Sequence, residues 1–361
     1  MMTAKKKILY LINDITMPGG LSRVTLNLIH EFCGLHGDID VKAVSAAAKF
    51  TRIEHSHIDY LDMPALHGLN PMQKIKWYLR LKKNVERYVD QQGYDVVIAV
   101  GTAMTLFASF CRFQHAQLWG AEHLAHNHYG ILRKAFKRWR YPKLNRLICL
   151  TQLDKERYYD TYLHSVSVIP NFTNFADVDV SPNRKKNILF VGRYNQMKGV
   201  DYLVDIIKKS HVHCPEWHFT LFGEGEKKEW LLNELSVNGL TEVVTVNEPT
   251  PHISDAYQQA GFYILTSRNE GFPMVLLEAQ AHGLPIVSFD CETGPSEIIR
   301  DEEDGFLIPT FDVDAFADKV ALLANDDDCR TQMSQRALIN RQRFSKDAIV
   351  QLWLKEFNAV S

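Results

Sequence analysis

The chain has 361 residues, enough for two domains of ordinary size, and its 46% hydrophobic and 23% charged side chains are those of a soluble globular protein. Its six cysteines are scattered without a Cys-x-x-Cys pair, which argues against a disulfide framework and fits reduced thiols in a cytosolic protein. A formal net charge of −2 hides an asymmetry: residues 1–175 hold 23 Lys and Arg against 14 Asp and Glu, a net of +9, and the remainder holds 18 against 29, a net of −11. Halves of opposite charge suit different partners.

Taken in order, Lys5-Lys6-Lys7 followed by Ile8–Ile12 imitates the start of a signal peptide. The apolar run is short, meets Asn13 and Asp14 and has no small-residue cleavage site, so a first buried strand is expected. Pro18-Gly19-Gly20 then opens a helix over Leu21–Phe32. A glycine pair between strand and helix lets the backbone approach a ligand, although it is also ordinary turn chemistry. Further strands are expected at Val41–Ser45, Val96–Val100, Gln117–Gly120, Leu147–Leu150 and Ser165–Ile169, with helices at Met72–Val89 and Asp154–Tyr162. The apolar region Val96–Phe110 contains Gly101 and Thr102 and is too short for a membrane span, so no transmembrane helix is expected. Strand and helix alternate throughout, which predicts an α/β protein with parallel sheets.

Trp119-Gly120-Ala121-Glu122-His123 ends one of these strands, where α/β sheets place their ligands, with His126, Asn127 and His128 close behind. From Leu132 to Arg146 the chain carries Arg133, Lys134, Lys137, Arg138, Arg140, Lys143 and Arg146 and no acid. Leu132, Phe136 and Trp139 fall at helical spacing beside those charges. Such a helix suits an anionic membrane surface, and it equally suits a solvated helix with its aromatics packed inside. Lys74, Lys76, Arg80, Lys82, Lys83 and Arg87 mark a second basic helix. Nucleic acid fits poorly, because the overall charge is not basic and no reading motif is present.

Ile169-Pro170-Asn171-Phe172 closes a first domain of residues 1–172, and residues 173–186, rich in Asp, Asn, Pro and Ser, read as a linker. A second domain, 187–343, starts with the strand Asn187-Ile-Leu-Phe-Val and continues Gly192-Arg193-Tyr-Asn-Gln-Met-Lys198-Gly199 into a helix from Val200. Arg193 and Lys198, five residues apart across a loop, can converge on one diphosphate, Arg by its fork and Lys as a point charge. Strands follow at Phe219–Phe222 and Val243–Val246, the first running into the turn Gly223-Glu224-Gly225-Glu226.

The stretch Ser267 to Val287 organises this half. Phe262–Thr266 reads as a buried strand, Glu270-Gly271-Phe272 as a loop, Pro273 as first-turn residue of a helix over Met274–His282, and Gly283 as its stop. A helix N-terminus attracts a phosphate or diphosphate through unpaired amides and its dipole. Glu270 and Glu278, eight residues apart, bracket it; carboxylates accept strongly from sugar hydroxyls. Together they suggest an anionic ligand that also carries hydroxyls. A last helix, roughly Lys346–Asn358, lies in a terminal segment 344–361.

With Glu270-Gly271-Phe272-Pro273 through Glu278, Ser267 upstream and Thr293-Gly294-Pro295-Ser296-Glu297-Ile298 downstream, the chain resembles the retaining glycosyltransferases of family four. The Val-Gly192-Arg193 to Lys198-Gly199 segment is similar to that family's diphosphate motif. Glu292 departs from it, standing where members often have proline after Cys291. The resemblance implies a GT-B architecture: two Rossmann-like domains facing across a cleft, with the C-terminal helix crossing back to the first. It implies donor binding by Gly19, Gly20, Arg193, Lys198, Gly271, Phe272, Pro273, Met274, Val275 and Glu278. The catalytic set it implies is Glu270, His123, Arg193 and Lys198. Asn247-Glu248 should then border the nucleobase. The reaction implied is transfer of a hexose or N-acetylhexosamine from a nucleotide-sugar, UDP-linked by expectation. The acceptor is a glycan, lipid-linked by expectation, in surface-polysaccharide synthesis at the cytoplasmic membrane face.

No cofactor beyond the nucleotide-sugar and no metal are expected. Asp-x-Asp occurs at Asp38/Asp40, Asp177/Asp179 and Asp312/Asp314, and three copies suggest chance. Cys214 lies near His211, His213 and His218 without a recognised zinc spacing. No Gly-x-Gly-x-x-Gly follows a strand, so a nicotinamide dehydrogenase is disfavoured. The alternatives are a sugar-nucleotide epimerase or phosphorylase of the same fold, or a catalytically silent nucleotide-sugar-binding module.

Overall fold

A computed structural model describes residues 5–17, 19–35, 38–64, 66, 68–173, 175 and 184–360. Pro18, Asp177/Asp179 and most of the segment read as a linker lie outside these residues. The chain divides into two compact units, residues 1–171 with 349–361, and residues 172–348.

The first unit is built on strands β1 (Lys6–Asp14), β2 (Ile39–Ala47), β3 (Ile58–Tyr60), β4 (Val96–Val100), β5 (Gln117–Ala121), β6 (Arg146–Cys149) and β7 (Val166–Val168). They form one sheet in the order β3-β2-β1-β4-β5-β6-β7, and every pair is parallel. Helices α1 (Gly20–Leu35), α2 (Pro71–Gln92), α3 (Thr102–Ala108), α4 (Ile131–Arg140) and α5 (Gln152–Arg157) connect them. A central parallel strand is covered on both faces, which explains why Ile8 to Ile12 form an unbroken apolar run and are all buried. Helix α2 starts with a capping box between Asn70 and Gln73 and Pro71 in its first turn, and it buries Trp77, Leu81, Val85 and Val89, one residue per turn.

The second unit holds β8 (Asn187–Val191), β9 (His218–Phe222), β10 (Val244–Asn247), β11 (Phe262–Leu265), β12 (Ile286–Phe289) and β13 (Gly305–Ile308). Its sheet, also parallel, has the order β10-β9-β8-β11-β12-β13. Helices α6 (Val200–His211), α7 (Lys228–Val237), α8 (Ile253–Gln259), α9 (Met274–Ala281), α10 (Pro295–Ile298), α11 (Val313–Asn325) and α12 (Asp327–Asn340) flank it. The strand order reverses between β8 and β11. In an open α/β sheet that reversal leaves a crevice at the carboxyl ends of the two strands.

Helix α13 (Lys346–Asn358) ends the chain in the first unit. Its Trp353 meets the Tyr10 ring edge-on at 6.0 Å, and its Phe357 stacks on Trp119 at 5.9 Å. Lys6 donates from Nζ to the carbonyls of Phe357 (2.9 Å) and Val360 (2.7 Å), tying the C-terminal end of α13 to the start of β1.

Several elements differ from the sequence expectation. Strands β12 and β13 stand where only helices were expected to run to the C-terminus, and the helix read within Leu132 to Arg146 ends at Arg140. Strand β3 is a three-residue edge strand, too short to show a period. Helix α3 is hidden within the apolar region that begins with β4, because both are buried and hydrophobic. The helix expected over Asp154–Tyr162 is only α5 followed by a 3-10 turn at Tyr159–Thr161; the turn carries Tyr159 into the core, fully buried. Among the described residues no helix is long and apolar enough to cross a membrane.

Candidate functional site

The loops after β8 and β11, the two strands at the reversal, are tied to each other. Lys198 donates from Nζ to Glu270 Oε1 at 2.5 Å, and Ser267 Oγ donates to the same oxygen at 2.6 Å. Thr266 Oγ1 donates to the Lys198 carbonyl at 2.9 Å, and Arg268 N to the Met197 carbonyl at 2.8 Å. The Arg268 guanidinium grips both oxygens of Asp201, at 2.6 and 2.5 Å, and lies 4.1 Å over the Tyr202 ring. Asn195 Oδ1 accepts from Lys198 N at 2.9 Å. Gly199 has φ of +64°, and a Cβ there would come within 2.0 Å of the Thr266 carbonyl, so only glycine lets the loops approach this closely.

This closeness aligns Lys198 with Glu270. The side chains keep 22% and 11% of their surface, so the pair is reachable from solvent. Arg193, on the same loop, is exposed. Two cations on one short loop, one parked on a carboxylate, can neutralise a diphosphate.

Helix α9 begins beside Glu270 with no side chain capping its first turn, so no side chain competes with an anion there, while Leu276 N donates to the Pro273 carbonyl at 3.0 Å. Pro273 does not enter that turn as the sequence suggested. It precedes the helix in an extended conformation, φ −71° and ψ 107°. Gly294, at φ +98°, packs so closely that a Cβ would fall 2.7 Å from the Pro273 ring. Thr293 Oγ1 donates to the Glu270 carbonyl at 2.6 Å, bringing a third loop into the site. Gly271, Met274 and Val275 are partly exposed. Phe272 is buried with its ring 5.5 Å from Phe344, so its side chain serves the core and only its backbone faces the loop.

Glu278 is buried on α9, and one of its oxygens accepts from Tyr257 OH at 3.0 Å. Asn247, the last residue of β10, accepts on its carbonyl from Gly223 N at 3.0 Å, and Glu248 pairs with Lys228. The Cys291 thiol, buried, is pushed up to about 12 by its burial. These facts bring Lys198, Glu270, Gly271 and the start of α9 into one neighbourhood, and set Glu278 within the helix behind it.

Gly19, Gly20 and His123 belong to the first unit. Gly19 has φ of +151° and leads with Gly20 into α1; neither has a neighbour that a Cβ would meet. His123 follows β5 and is half-buried, and burial pushes its imidazole down against a weaker opposing pull from Glu122. Of its neighbours, His128 is exposed, whereas His126 is buried, stacked 4.4 Å from the Tyr158 ring, with Nδ1 lacking a partner among the described residues.

Glu122 is the centre of a buried polar group. It accepts from Thr102 Oγ1 and Tyr141 OH, and Lys137 Nζ lies 3.5 Å from its carboxylate and 3.0 Å from Tyr159 OH. Lys137, counted among surface cations in the sequence, is fully buried, and Arg140 nearly so. The partners that hold them, Glu122, Tyr159 and Ser109, are 15 or more residues away, beyond the reach of local spacing. The sequence reading also missed Arg268 with Asp201, Asn195, and Tyr257 with Glu278. Arg268 stands two residues before Glu270, which is the single local hint; Tyr257 offers none.

Two parallel-sheet units of this kind constitute the GT-B fold. Residues 171–339, nearly the whole second unit, match the family model described as glycosyl transferases group 1. The chain is 26% identical over 356 residues to an uncharacterized glycosyltransferase of Haemophilus influenzae, covering 96% of this chain and 99% of that one. It is 27% identical over 361 residues to the amylovoran biosynthesis glycosyltransferase AmsD of Erwinia amylovora, covering 96% and 98%. The structure of Anabaena Alr3699/HepE in complex with UDP superposes with a TM-score of 0.80 at 17% identity, over 98% of this chain and all of that one. Fold, family model and relatives together support the glycosyltransferase class.

Proposed function

We propose that the protein is a retaining glycosyltransferase that moves a hexose or N-acetylhexosamine from a UDP-sugar to a glycan acceptor in bacterial surface-polysaccharide or lipopolysaccharide synthesis. The observation that carries this reading is the accessible Lys198–Glu270 pair at 2.5 Å, set where the strand order reverses and beside the uncapped start of α9. UDP bound to the HepE neighbour and the polysaccharide role in the AmsD name support the donor and the pathway class.

In this reading Lys198 exchanges Glu270 for the donor diphosphate and, with Arg193 and the α9 amides, stabilises the charge that develops as the glycosidic bond breaks. Glu270, released, accepts from a sugar hydroxyl, with Gly271 to Met274 lining the sugar. Glu278 receives the ribose hydroxyls once Tyr257 yields or shares its oxygen. His123 and the Gly19–Gly20 loop act on the donor from the first unit. The displacement occurs on one face of the sugar, the leaving phosphate oxygen assisting removal of the acceptor proton, and no metal is required. The acceptor is a lipid-linked glycan.

Thermal stabilisation by UDP, GDP, ADP and their sugars tests the site, each variant being compared with its own unliganded midpoint. A nucleotide at a hundred times its dissociation constant adds about 2.7 kcal/mol. Wild type should shift with the uridine set, and Lys198→Ala and Glu278→Ala should not. No shift with any nucleotide would sink the reading, and a shift without sugar transfer would favour the catalytically silent module. The anomeric configuration of the product, read by NMR, tests retention. A trapped glycosyl-Glu270 adduct would replace the one-face displacement by a covalent route, and loss of turnover in EDTA would remove the metal-independent scheme.

A further inference from the structure

Helix α4 has its polarity reversed for a helix packed on a core in water. Two of its five cations point inward: Lys137 is fully buried and Arg140 is 9% exposed. Its apolar residues point outward, Ile131 at 85%, Leu132 at 88%, Trp139 at 60% and Phe136 at 40% exposure. Sequence periodicity alone allowed the opposite roll, with the aromatics inside.

The inward side is held at both cations. Lys137 sits against Glu122 and Tyr159 OH, with the faces of Tyr129, Tyr141 and Tyr159 at 4.9, 5.2 and 5.1 Å. Arg140 Nε donates to Ser109 Oγ at 3.1 Å, and its guanidinium covers the Phe110 ring at 3.9 Å. Rolling the helix to hide its apolar residues would strand Glu122 without its cation in a low-dielectric interior and take Arg140 from Ser109. The roll is therefore fixed, and a ridge of aliphatic and aromatic side chains faces outward permanently. Phe110, itself 42% exposed, extends the ridge, with its ring 6.1 Å from Phe136 and 6.2 Å from Trp139.

Charge selects what covers this ridge. Arg133, Arg138 and Lys143 flank it and are exposed, and the chain has no acid between Glu122 and Asp154. A second copy would set like charges against each other. An anionic bilayer satisfies both features, accepting the apolar ridge at the headgroup boundary and pairing its phosphates with the flanking cations. Tryptophan at such a boundary keeps its ring in the apolar layer and its N–H in the wet one.

We propose that α4 is an interfacial anchor: the ridge Ile131, Leu132, Phe136 and Trp139 inserts into the surface of an anionic membrane, and buried Lys137 and Arg140 lock the helix in the roll that presents it. This gives the lipid-linked acceptor of the reading above a surface on which to be met, and nucleotide binding does not enter its test.

The experiment is co-sedimentation of the full chain with vesicles of phosphatidylglycerol and phosphatidylcholine, one to three, and with phosphatidylcholine alone. The expected result is binding to the anionic vesicles that falls at least tenfold in Ile131→Asp/Leu132→Asp. These two are the most exposed of the large apolar side chains on the helix, so folding is not at stake, and an unchanged unfolding midpoint and far-UV circular dichroism spectrum verify it. Arg133→Glu/Arg138→Glu should lose binding comparably. Brominated phosphatidylcholine should quench wild-type fluorescence more than that of Trp139→Leu. Equal sedimentation of wild type and Ile131→Asp/Leu132→Asp overturns the proposal. So does a wild-type dimer, seen by sedimentation equilibrium, that the same substitution dissociates.

Discussion

Each unit joins a lysine to a glutamate near the carboxyl end of its sheet, and the two pairs differ in what surrounds them. Lys198 and Glu270 meet at 2.5 Å with 22% and 11% of their surfaces open, between two loops and beside an uncapped helix start. Lys137 and Glu122 stand 3.5 Å apart with 0% and 2% open, walled by three tyrosines and a threonine. An accessible pair can trade its partner for a ligand's charge at little cost, because water compensates both groups during the exchange. A sealed pair cannot, since separating it leaves a bare charge in low dielectric. The same two residue types thus suit the proposed binding site in one unit and the proposed positioning device in the other.

The sealed pair is broken first. Lys137→Met should lower the unfolding free energy by about 3–5 kcal/mol in urea titrations, and adding Glu122→Gln should recover part of it, because the stranded charge is then gone. Equal losses in single and double variants would mean that lysine packing, not charge, matters there. At the open pair the expectation inverts. Lys198→Ala should reduce glycosyl transfer by about a hundredfold or more, the scale seen when one transition-state donor is removed. Its effect on stability should stay near ~1 kcal/mol, as for a partly exposed ion pair.

Acid titration sharpens the contrast, since the sealed region also holds Asp154 and His126, joined by a hydrogen bond from His126 N to Asp154 Oδ1. Burial raises the Asp154 carboxyl to about 6, so between pH about 4 and 6 the unfolded chain loses this proton first and stability falls as pH rises. Burial lowers the His126 imidazole to about 4, so over nearly the same window the unfolded chain gains a proton first and stability falls as pH drops. The two slopes oppose. Relative to wild type, Asp154→Asn should make the midpoint climb more steeply from pH 4 to 6.5, and His126→Gln should tilt it downward from 4 to 6. Parallel profiles for both variants would contradict the assignment. The smallest effect is expected far from either pair: Asn70→Ala removes the α2 cap and should cost about 1 kcal/mol without touching transfer or vesicle binding.

The neighbourhood of Lys198, Glu270 and the start of α9 was largely legible because its residues are local. Arg193 and Lys198 share one loop, and Glu270 to Glu278 share one loop and helix, so spacing alone brings them to one end of a parallel sheet. The alternation of apolar strands with amphipathic helices likewise announced two parallel-sheet units, and α13 was legible to its boundaries. The partners that hold these groups were not. Arg268 finds Asp201 across 67 positions and Lys198 finds Glu270 across 72, separations that acquire meaning only once the strand order places β8 next to β11.

Helix α4 marks the limit most clearly. The sequence pointed to a helix within the stretch Leu132 to Arg146, basic on one side and aromatic on another, since periodicity and charge are written along the chain; the structure ends that helix at Arg140. Which side faces the core was decided only in three dimensions. Burying Lys137 is favourable where Glu122, Tyr141 and Tyr159 already wait, and those residues arrive from β5, the turn after α4 and the turn after α5. A cation's preference for water is a property of the residue, and its preference for a prepared carboxylate is a property of the fold.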